Sequence, residues 1–276
     1  MTSDARYDRH MALFGAAGQD RIATARTAIV GLGGLGSHVA QQLAYLGVVD
    51  FILIDADKLA TSNLNRLIGA GPADVGAAKV DVAARAIHAV QPAANIVQTA
   101  SEFPSRGSAR ELARADVLFG CVDDDVPRLE LVREASILAL PYVDMASDVA
   151  PTGEFGGRIL FAKDGERCLS CAGELDQHAL ARAQMTEDQR AADDVIYGVE
   201  RSALDAGGPS VVSVNGVVAS LAVTEFMVWR TGLREPVGHL NYRGDRGTVG
   251  RRVDPERGYC HYCMGLWGTG RSAAEH

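Results

Sequence analysis

Asn63, Arg66 and Lys79 are polar side chains suited to holding phosphate oxygens, and they closely follow the carboxylates of Asp55 and Asp57. Guanidinium and ammonium groups bind phosphate through charge-assisted hydrogen bonds, and a carboxylate can hold a divalent cation. Each residue alone is more often a solvated surface residue. Their joint position soon after a glycine-rich loop indicates phosphoryl or nucleotidyl transfer, in which negative charge must be offset.

The glycine-rich loop contains Gly31, Gly33, Gly34 and Gly36, between an apolar segment and a predicted helix. The first N–H groups of a helix attract phosphate, and glycine lets a ligand approach the backbone closely. Asp55 ends the next apolar segment, where an acid accepts hydrogen bonds from ribose hydroxyls. The alternative is that the glycines only form a tight corner. The order strand, loop, helix, strand, acid favours nucleotide binding.

The elements that must position these residues alternate along the chain. Apolar segments predict strands at 27–30, 51–54, 96–99, 117–121 and 141–145, and helices are predicted at 4–13, 37–46, 79–90, 108–113 and 128–138. Gly15 is expected to end the first helix. This alternation is typical of a parallel sheet that is covered on both faces. We therefore predict an α/β fold with a Rossmann-like, mostly parallel sheet and helices on both faces.

The composition changes near residue 150, and we predict an N-terminal helix and ATP-binding part at 1–150. The part at 151–276 is expected to continue the same fold with antiparallel strands, the first of them near 158–162. Residues 172–207 lack an apolar stripe and predict a surface crossover segment that is partly mobile. Residues 210–230 predict a long apolar helix, and residues 239–263 predict short strands and turns.

Four cysteines form two C-x-x-C pairs, Cys168 with Cys171 and Cys260 with Cys263. Together they can supply the four thiolates of a closed, structural zinc site that staples the C-terminal segment to the body. Unrelated reduced thiols or a redox pair are the alternatives. The fifth cysteine, Cys121, ends an apolar segment and is expected to be buried and inert.

The overall composition excludes several classes of protein. The chain has 276 residues, 22% of them charged, a net charge of −8 and a pI near 5.4. This balance argues against nucleic acid or an anionic membrane as the main partner. We find no run of 18 apolar residues and no secretory signal, so we expect a cytoplasmic protein. Five cysteines in this pattern fit a reducing compartment.

Several motifs in order resemble the ThiF/MoeB/HesA family of adenylyltransferases that are related to ubiquitin-activating enzymes. The resemblance covers about residues 5–171 and resumes at the last C-x-x-C. The motifs are Arg6-Tyr7-Asp8-Arg9, Gly31–Ser37, Asp55-Ala56-Asp57, Ser62-Asn63-Leu64-x-Arg66, Gly76-x-x-Lys79 and Cys121-Val122-Asp123.

The resemblance implies a role for each matching residue. Asp55 would hold the ribose of ATP, and Asn63, Arg66 and Lys79 would bind and neutralise the triphosphate. Arg9 would reach into the ATP site of the partner subunit of a homodimer. From spacing alone, Arg9 is equally well interpreted as a solvated helix charge.

The resemblance also implies that Asp123 coordinates magnesium or positions the phosphates. The chain departs from the family pattern at this motif, since relatives usually have Asp-Asn and this chain has Asp123, Asp124 and Asp125 in succession. The additional acids have two interpretations, a solvated turn or an altered metal site. Arg128 follows on the next predicted helix, as an arginine does in relatives.

The function implied is activation of a carboxylate with ATP, as an acyl adenylate, with release of pyrophosphate. The expected substrate is the C-terminal glycine of a ubiquitin-like or sulfur-carrier protein that ends in Gly-Gly. Residues 172–207 contain no cysteine, so we expect the reaction to stop at the acyl adenylate or to continue on another molecule. The alternatives are a short-peptide, small-molecule or tRNA-linked carboxylate, an NAD-dependent oxidoreductase, and a non-catalytic nucleotide-binding scaffold.

Overall fold

The computed structural model of the protein describes residues 5–150, 152–183, 185–186, 210–253 and 258–268. Its eight strands are β1 (Arg26–Val30), β2 (Asp50–Ile54), β3 (Asn95–Thr99), β4 (Val117–Gly120), β5 (Tyr142–Val149), β6 (Phe155–Ala162), β7 (His239–Arg243) and β8 (Thr248–Arg251). They form one sheet in the order β3-β2-β1-β4-β5-β6-β7-β8. Strands β1 to β5 are parallel, and β6, β7 and β8 pair in antiparallel fashion. The predicted fold class is confirmed.

Seven α-helices are described around this sheet. They are α1 (Asp8–Ala23), α2 (Gly34–Leu46), α3 (Lys79–Val90), α4 (Arg106–Leu112), α5 (Asp125–Ile137), α6 (Gln177–Ala183) and α7 (Val212–Thr231). Helices α2, α3 and α7 cover one face, and α4, α5 and α6 cover the other.

Successive residues of the central strands enter two different cores. Ile29 of β1 and Leu53 of β2 pack towards α2, α3 and α7, whereas Val30 and Ile54 pack towards α5. Side chains alternate between the faces of a strand, and here both faces are covered by helices. The central strands are therefore continuously apolar, which made them easy to find in the sequence.

The N-terminal helix is longer than predicted. Gly15 has φ = +72° and interrupts α1 where the sequence predicted its end, but the helix resumes and continues to Ala23. A side chain at Gly18 would lie 3.3 Å from Thr231 of α7, so this second half of α1 packs closely on α7. Because that packing depends on a distant helix, the local pattern did not reveal it.

Part of the predicted crossover segment at 172–207 is ordered against the body. Leu175 and Leu180 are buried, and α6 lies within this segment, so its beginning is not a purely surface segment. Residues 184 and 187–207 of the segment lie outside the described part of the chain. The division of the chain at residue 150 stays a prediction.

Helix α7 is the long apolar helix predicted at 210–230. Among the described helices it alone is long and apolar enough to cross a membrane by length and composition. Half of its most apolar window is buried, and it packs on α2 and on β5 and β6. Such packing is that of a core helix.

Candidate functional site

A large cavity lies at the carboxyl ends of the parallel strands. Its volume is about 1220 Å³, above the roughly 300–1,000 Å³ of ordinary small-molecule sites, so two reactants have room. The predicted site residues that line it are Gly31, Gly33, Gly34, Asp55, Asp57, Asn63, Arg66, Lys79 and Asp123. The position is that expected for the ligand of an open parallel sheet.

The glycine loop connects β1 to α2 in the space that its glycines leave free. Gly31 has φ = +87°, and a side chain there would meet the carbonyl of Cys121 at 2.7 Å. Gly36 does not line the cavity. It must nevertheless be glycine, because a side chain there would collide with the carbonyl oxygen of Gly31. Gly33 faces open space within 4 Å. The first N–H groups of α2 therefore border the cavity, at the helix end that favours an anion.

Asp55 is held at the end of β2 by backbone donors. The N–H of Leu32 donates to Oδ2 at 2.6 Å, and the N–H of Asp57 donates to Oδ1 at 2.8 Å. Burial raises the pKa of the Asp55 carboxyl, and the positive charge of Lys79 acts in the opposite direction. Each carboxylate oxygen retains a second lone pair, so Asp55 can still accept from a ligand hydroxyl.

Lys79 begins α3 and is fixed by the two acids of this edge. Its Nζ lies 2.6 Å from Oδ2 of Asp57 and 4.0 Å from Oδ2 of Asp55. The Lys79 N–H also donates to the Asp57 carbonyl at 3.0 Å. The ammonium group is thus held at the cavity wall by both side-chain and backbone contacts.

Asn63 and Arg66 are presented by the loop between β2 and α3. The Leu59 N–H donates to the Ala77 carbonyl and the Leu59 carbonyl accepts from the Gly76 N–H, both at 2.8 Å, which closes the base of this loop. Leu59 also packs with Leu67 in a small core. The Arg66 guanidinium donates to the Ser62 carbonyl at 2.7 Å. The amide of Asn63 and the guanidinium of Arg66 therefore project into the cavity from a loop whose base is closed.

The three acids after β4 have different environments. Asp123 is exposed at the cavity, and Asp124 occupies the residue before α5. Asp125 is half-buried, pairs with Arg128 at 3.1 Å, and accepts the N–H of Asp176 at 2.7 Å. Asp125 is therefore not simply part of a solvated turn, because it links α5 to the segment after the first C-x-x-C.

Arg9 is an exposed residue of α1 and does not line the cavity of its own chain. Its proposed action on a partner subunit stays a prediction. The structure also adds residues that the sequence analysis missed. Asn215 of α7 is fully buried beneath the glycine loop, accepts from Ser147 at 2.8 Å and donates to Ser210 at 3.0 Å. The sequence feature that could have indicated Asn215 is an amide side chain within an apolar helix.

Charged residues that the sequence analysis also missed lie beside the cavity. Asp144 of β5 is completely buried and accepts from Arg158 of β6 at 2.5 Å and from the Tyr142 hydroxyl at 2.7 Å. Arg158 also contacts Glu174 at 2.5 Å. A buried charge requires such partners. The sequence signal was an acid and an arginine within apolar strands.

The four paired cysteines meet as predicted. Their sulfur atoms lie within 4.8 Å of one another, with Cys168 at 3.5 Å from Cys260 and 3.8 Å from Cys171. Tetrahedral Zn–S bonds of about 2.3 Å place sulfurs roughly 3.8 Å apart, so the spacing fits zinc. Burial and the neighbouring thiols raise the pKa of Cys263 to about 12. A zinc ion would reverse this preference, because it binds thiolates.

Comparison with known proteins gives a match over most of the chain. The ThiF family model matches residues 7–257. The chain is 31% identical to the molybdopterin-synthase adenylyltransferase of Escherichia coli, over 62% of this chain and 68% of that protein. It is 27% identical to the sulfur carrier protein ThiS adenylyltransferase of E. coli, over 94% of this chain and 95% of that protein.

A longer relative is the adenylyltransferase and sulfurtransferase MOCS3 of Sus scrofa. The identity is 40% over 60% of this chain, but the match spans only 36% of that relative. Among solved structures, E. coli MccB with ATP superposes with a TM-score of 0.71 at 21% identity, covering 95% of this chain and 75% of that one. MccB with N-formylated MccA gives 0.74 at 20% identity, with the same coverage. These two structures share the fold.

Proposed function

This chain belongs to the ThiF family of adenylyltransferases, and on that premise we propose that it uses ATP to activate a substrate carboxylate. The product is an acyl adenylate, and pyrophosphate is released. The observation that carries the proposal is the convergence of the α2 amides, Asp55, Arg66, Lys79 and Asp123 on one cavity. A dehydrogenase needs the glycines and the acid but makes no use of the cations.

The reaction joins a carboxylate oxygen to the α-phosphorus, and the bond from that phosphorus to the β-phosphate bridge oxygen breaks. No general base is required, because a carboxylate is already ionised near pH 7. The difficulty is that one anion attacks another. Fixed positive groups that border the phosphates lower this barrier because they need no reorganisation during the reaction.

Each residue has a distinct part in this proposal. Asp55 accepts hydrogen bonds from the ribose, and the N–H groups at the start of α2 donate to phosphate oxygens. Arg66 and Lys79, together with the amide of Asn63, bind the triphosphate and offset its charge. For Lys79 this means that the ammonium group exchanges its contact with Asp57 for a phosphate oxygen.

Asp123 would hold Mg²⁺ together with phosphate oxygens. The donor set fits, because Mg²⁺ is usually bound by one or two carboxylates and the phosphates of a nucleotide, and Asp123 is exposed at the cavity wall. When bound, the ion neutralises charge that develops on the phosphates. The exposed carboxylate of Asp57 borders the same cavity, where it pairs with Lys79.

The substrate we propose is the C-terminal carboxylate of a ubiquitin-like or sulfur-carrier protein that ends in Gly-Gly. The support is the name of the E. coli relative that acts on the sulfur carrier ThiS and matches this chain over almost its whole length. The cavity continues from the glycine loop past Asn215 to Phe155 and Tyr242, which leaves space for an extended chain end. The two terminal glycines of such a substrate have no side chains that could collide with the cavity wall.

The reaction, as proposed, does not proceed through a cysteine of this chain. Cys121 borders the cavity but is only 9% exposed, and burial raises the pKa of its thiol well above the usual value. A nucleophilic cysteine needs the opposite shift. The other four cysteines form the cluster that suits zinc. The acyl adenylate would therefore leave, or pass to a nucleophile on another molecule.

We further propose a cytoplasmic homodimer in which Arg9 acts on the partner's site. The exposure of Arg9 and its position outside its own chain's cavity support this arrangement.

The experiment that tests the function is ATP–pyrophosphate exchange with magnesium, in which a panel of ubiquitin-like proteins ending in Gly-Gly is offered to the purified chain. Exchange that requires one partner and is lost in Asp123→Ala supports the proposal and identifies the substrate. Nucleotide binding without exchange with any partner directs attention to a peptide, small-molecule or tRNA-linked carboxylate. Failure to bind ATP rejects the proposal.

A further inference from the structure

Six side chains of alternating charge form a continuous series of ion pairs beside the cavity. In order they are Asp125, Arg128, Asp144, Arg158, Glu174 and Arg252. The separations from Arg128 are 3.1 Å to Asp125 and 3.8 Å to Asp144, and Arg158 lies 2.5 Å from both of its acids. Arg252 contacts Glu174 at the outer end.

The middle of this series is shielded from water. Asp144 is completely buried, and the side chains of Arg128, Arg158 and Glu174 are about nine-tenths buried. Three acids and three bases balance, so no net charge is left inside. Loss of one buried member leaves its neighbour uncompensated, which favours one fixed arrangement of the whole series.

The series meets one segment of chain twice, at Glu174 and at Asp125. Glu174 follows Cys171 by three residues, and its N–H donates to the Leu169 carbonyl at 3.0 Å, inside the first C-x-x-C. Two residues later, the N–H of Asp176 donates to Asp125 at 2.7 Å. The segment 168–176, here called the knuckle segment, therefore holds β6 through Glu174 and the first turn of α5 through Asp176.

The first turn of α5 also lies at the wall of the nucleotide site. Asp123 lies two residues before Asp125, so a shift of Asp125 changes the position of the carboxylate that faces the cavity. Arg128, the next member of the series, lines the cavity itself. The cysteine cluster and the nucleotide site are thus connected by two routes, the hydrogen bond from Asp176 to Asp125 and the ion pairs from Glu174 to Arg128.

We propose that Glu174 is a positioning residue through which the metal-loaded cysteine cluster fixes the start of α5, and with it Asp123, at the nucleotide site. This inference rests on the proposed function, since it takes Asp123 to contact the bound nucleotide and its magnesium. Coupling between two sites is reciprocal. If the cluster orders the nucleotide site, then bound nucleotide must in turn order the knuckle segment and tighten the binding of zinc by the same factor.

The test is the equilibrium zinc affinity of the full chain, measured by competition with the chelator 4-(2-pyridylazo)resorcinol with and without saturating Mg·ATP. Calorimetry first establishes that each protein binds Mg·ATP. In the wild type we expect Mg·ATP to tighten zinc affinity by about 5-fold or more, within the usual range of coupling. In Glu174→Gln, which keeps the shape but not the charge, we expect the effect to fall below about 2-fold.

Glu235→Gln is the matched control, because Glu235 is an exposed acid that pairs with Lys163 at 3.2 Å outside the series. It should keep the wild-type effect. Arg158→Lys is a second variant, which retains the charge but lacks the planar fork that joins two acids. It is used if Glu174→Gln does not fold, and we expect a reduced effect there too.

The outcomes separate this inference from the function on which it rests. Equal tightening of zinc affinity by Mg·ATP in the wild type and in Glu174→Gln overturns the inference, because it shows only general stabilisation of the fold. A wild type that binds Mg·ATP yet keeps an unchanged zinc affinity also overturns it. A wild type that does not bind Mg·ATP in the calorimeter rejects the proposed function itself, and the inference with it.

Discussion

The Nζ atom of Lys79 lies 2.6 Å from a carboxylate oxygen of Asp57. The lysine side chain is 11% exposed and the aspartate side chain 68% exposed, so the pair joins a shielded cation to a solvated anion. Pairs with an exposed partner are weak. Asp57 can therefore keep Lys79 at the cavity wall in the absence of nucleotide and release it to a triphosphate at little cost.

The first prediction concerns the cations and the acid of the nucleotide site. Lys79→Ala, Arg66→Ala and Asp123→Ala should each reduce adenylation by about 100- to 1,000-fold, the usual effect of removing one preorganised charge-stabilising group. ATP–pyrophosphate exchange measures the rate, and circular dichroism shows whether the fold is kept. Arg85→Ala is the control, because this exposed arginine pairs with Asp74 away from the site. Wild-type rates in all three variants would contradict the proposed roles of these residues in adenylation.

The second prediction concerns Arg9. If Arg9 acts on the partner's site, then Arg9→Ala and Lys79→Ala chains are each inactive alone but regain activity when they are mixed and exchange subunits. In the mixed dimer, the Arg9→Ala protomer keeps Lys79 and receives an intact Arg9 from its partner. Exchange assays before and after subunit mixing measure the gain. No gain, with mixed dimers shown by differently tagged chains, would place Arg9 in its own site or in none.

The third prediction concerns the metal. Cys260→Ser should abolish stoichiometric zinc and lower the melting temperature by roughly 10 °C, because structural zinc supplies several kcal/mol and each kcal/mol shifts the midpoint by about 2–4 °C. Metal analysis and thermal unfolding measure the two effects. Cys121→Ser is the matched control, since Cys121 is buried but lies outside the cluster, and it should keep the zinc. Full zinc content in Cys260→Ser would contradict the four-thiolate site.

The fourth prediction concerns pH. Burial lowers the pKa of His38 below 6.5, although a contact with the Val212 backbone acts in the opposite direction. The unfolded chain then binds more protons than the folded chain between these two pKa values, so stability falls as the pH decreases through this window. The free energy of unfolding of wild type minus that of His38→Gln should shrink as the pH is lowered from about 7.5 to about 5. Urea titrations at each pH measure it, and a constant difference would contradict the assignment.

The parts of the site that were predictable are those whose signals are close together in the sequence. The glycine loop, Asp55 and the start of α3 at Lys79 lie in consecutive elements, and each has a local reason for its position. Asn215 and Arg158 reach the same cavity only because α7 and β6 pack against it. No spacing relates them to the loop. Glu174 was hidden for the further reason that it lies where the chain has no apolar stripe.

Asn215 also has a consequence for recombining this protein with its relatives. A side chain at Gly34 would lie 2.2 Å from Nδ2 of Asn215, so the loop and the helix residue are shaped to one another. A fragment that stops at residue 150 contains the whole loop but lacks the amide on which it rests. A chimera that exchanges C-terminal halves must therefore carry over position 215 with the loop, even though the halves are distant in sequence.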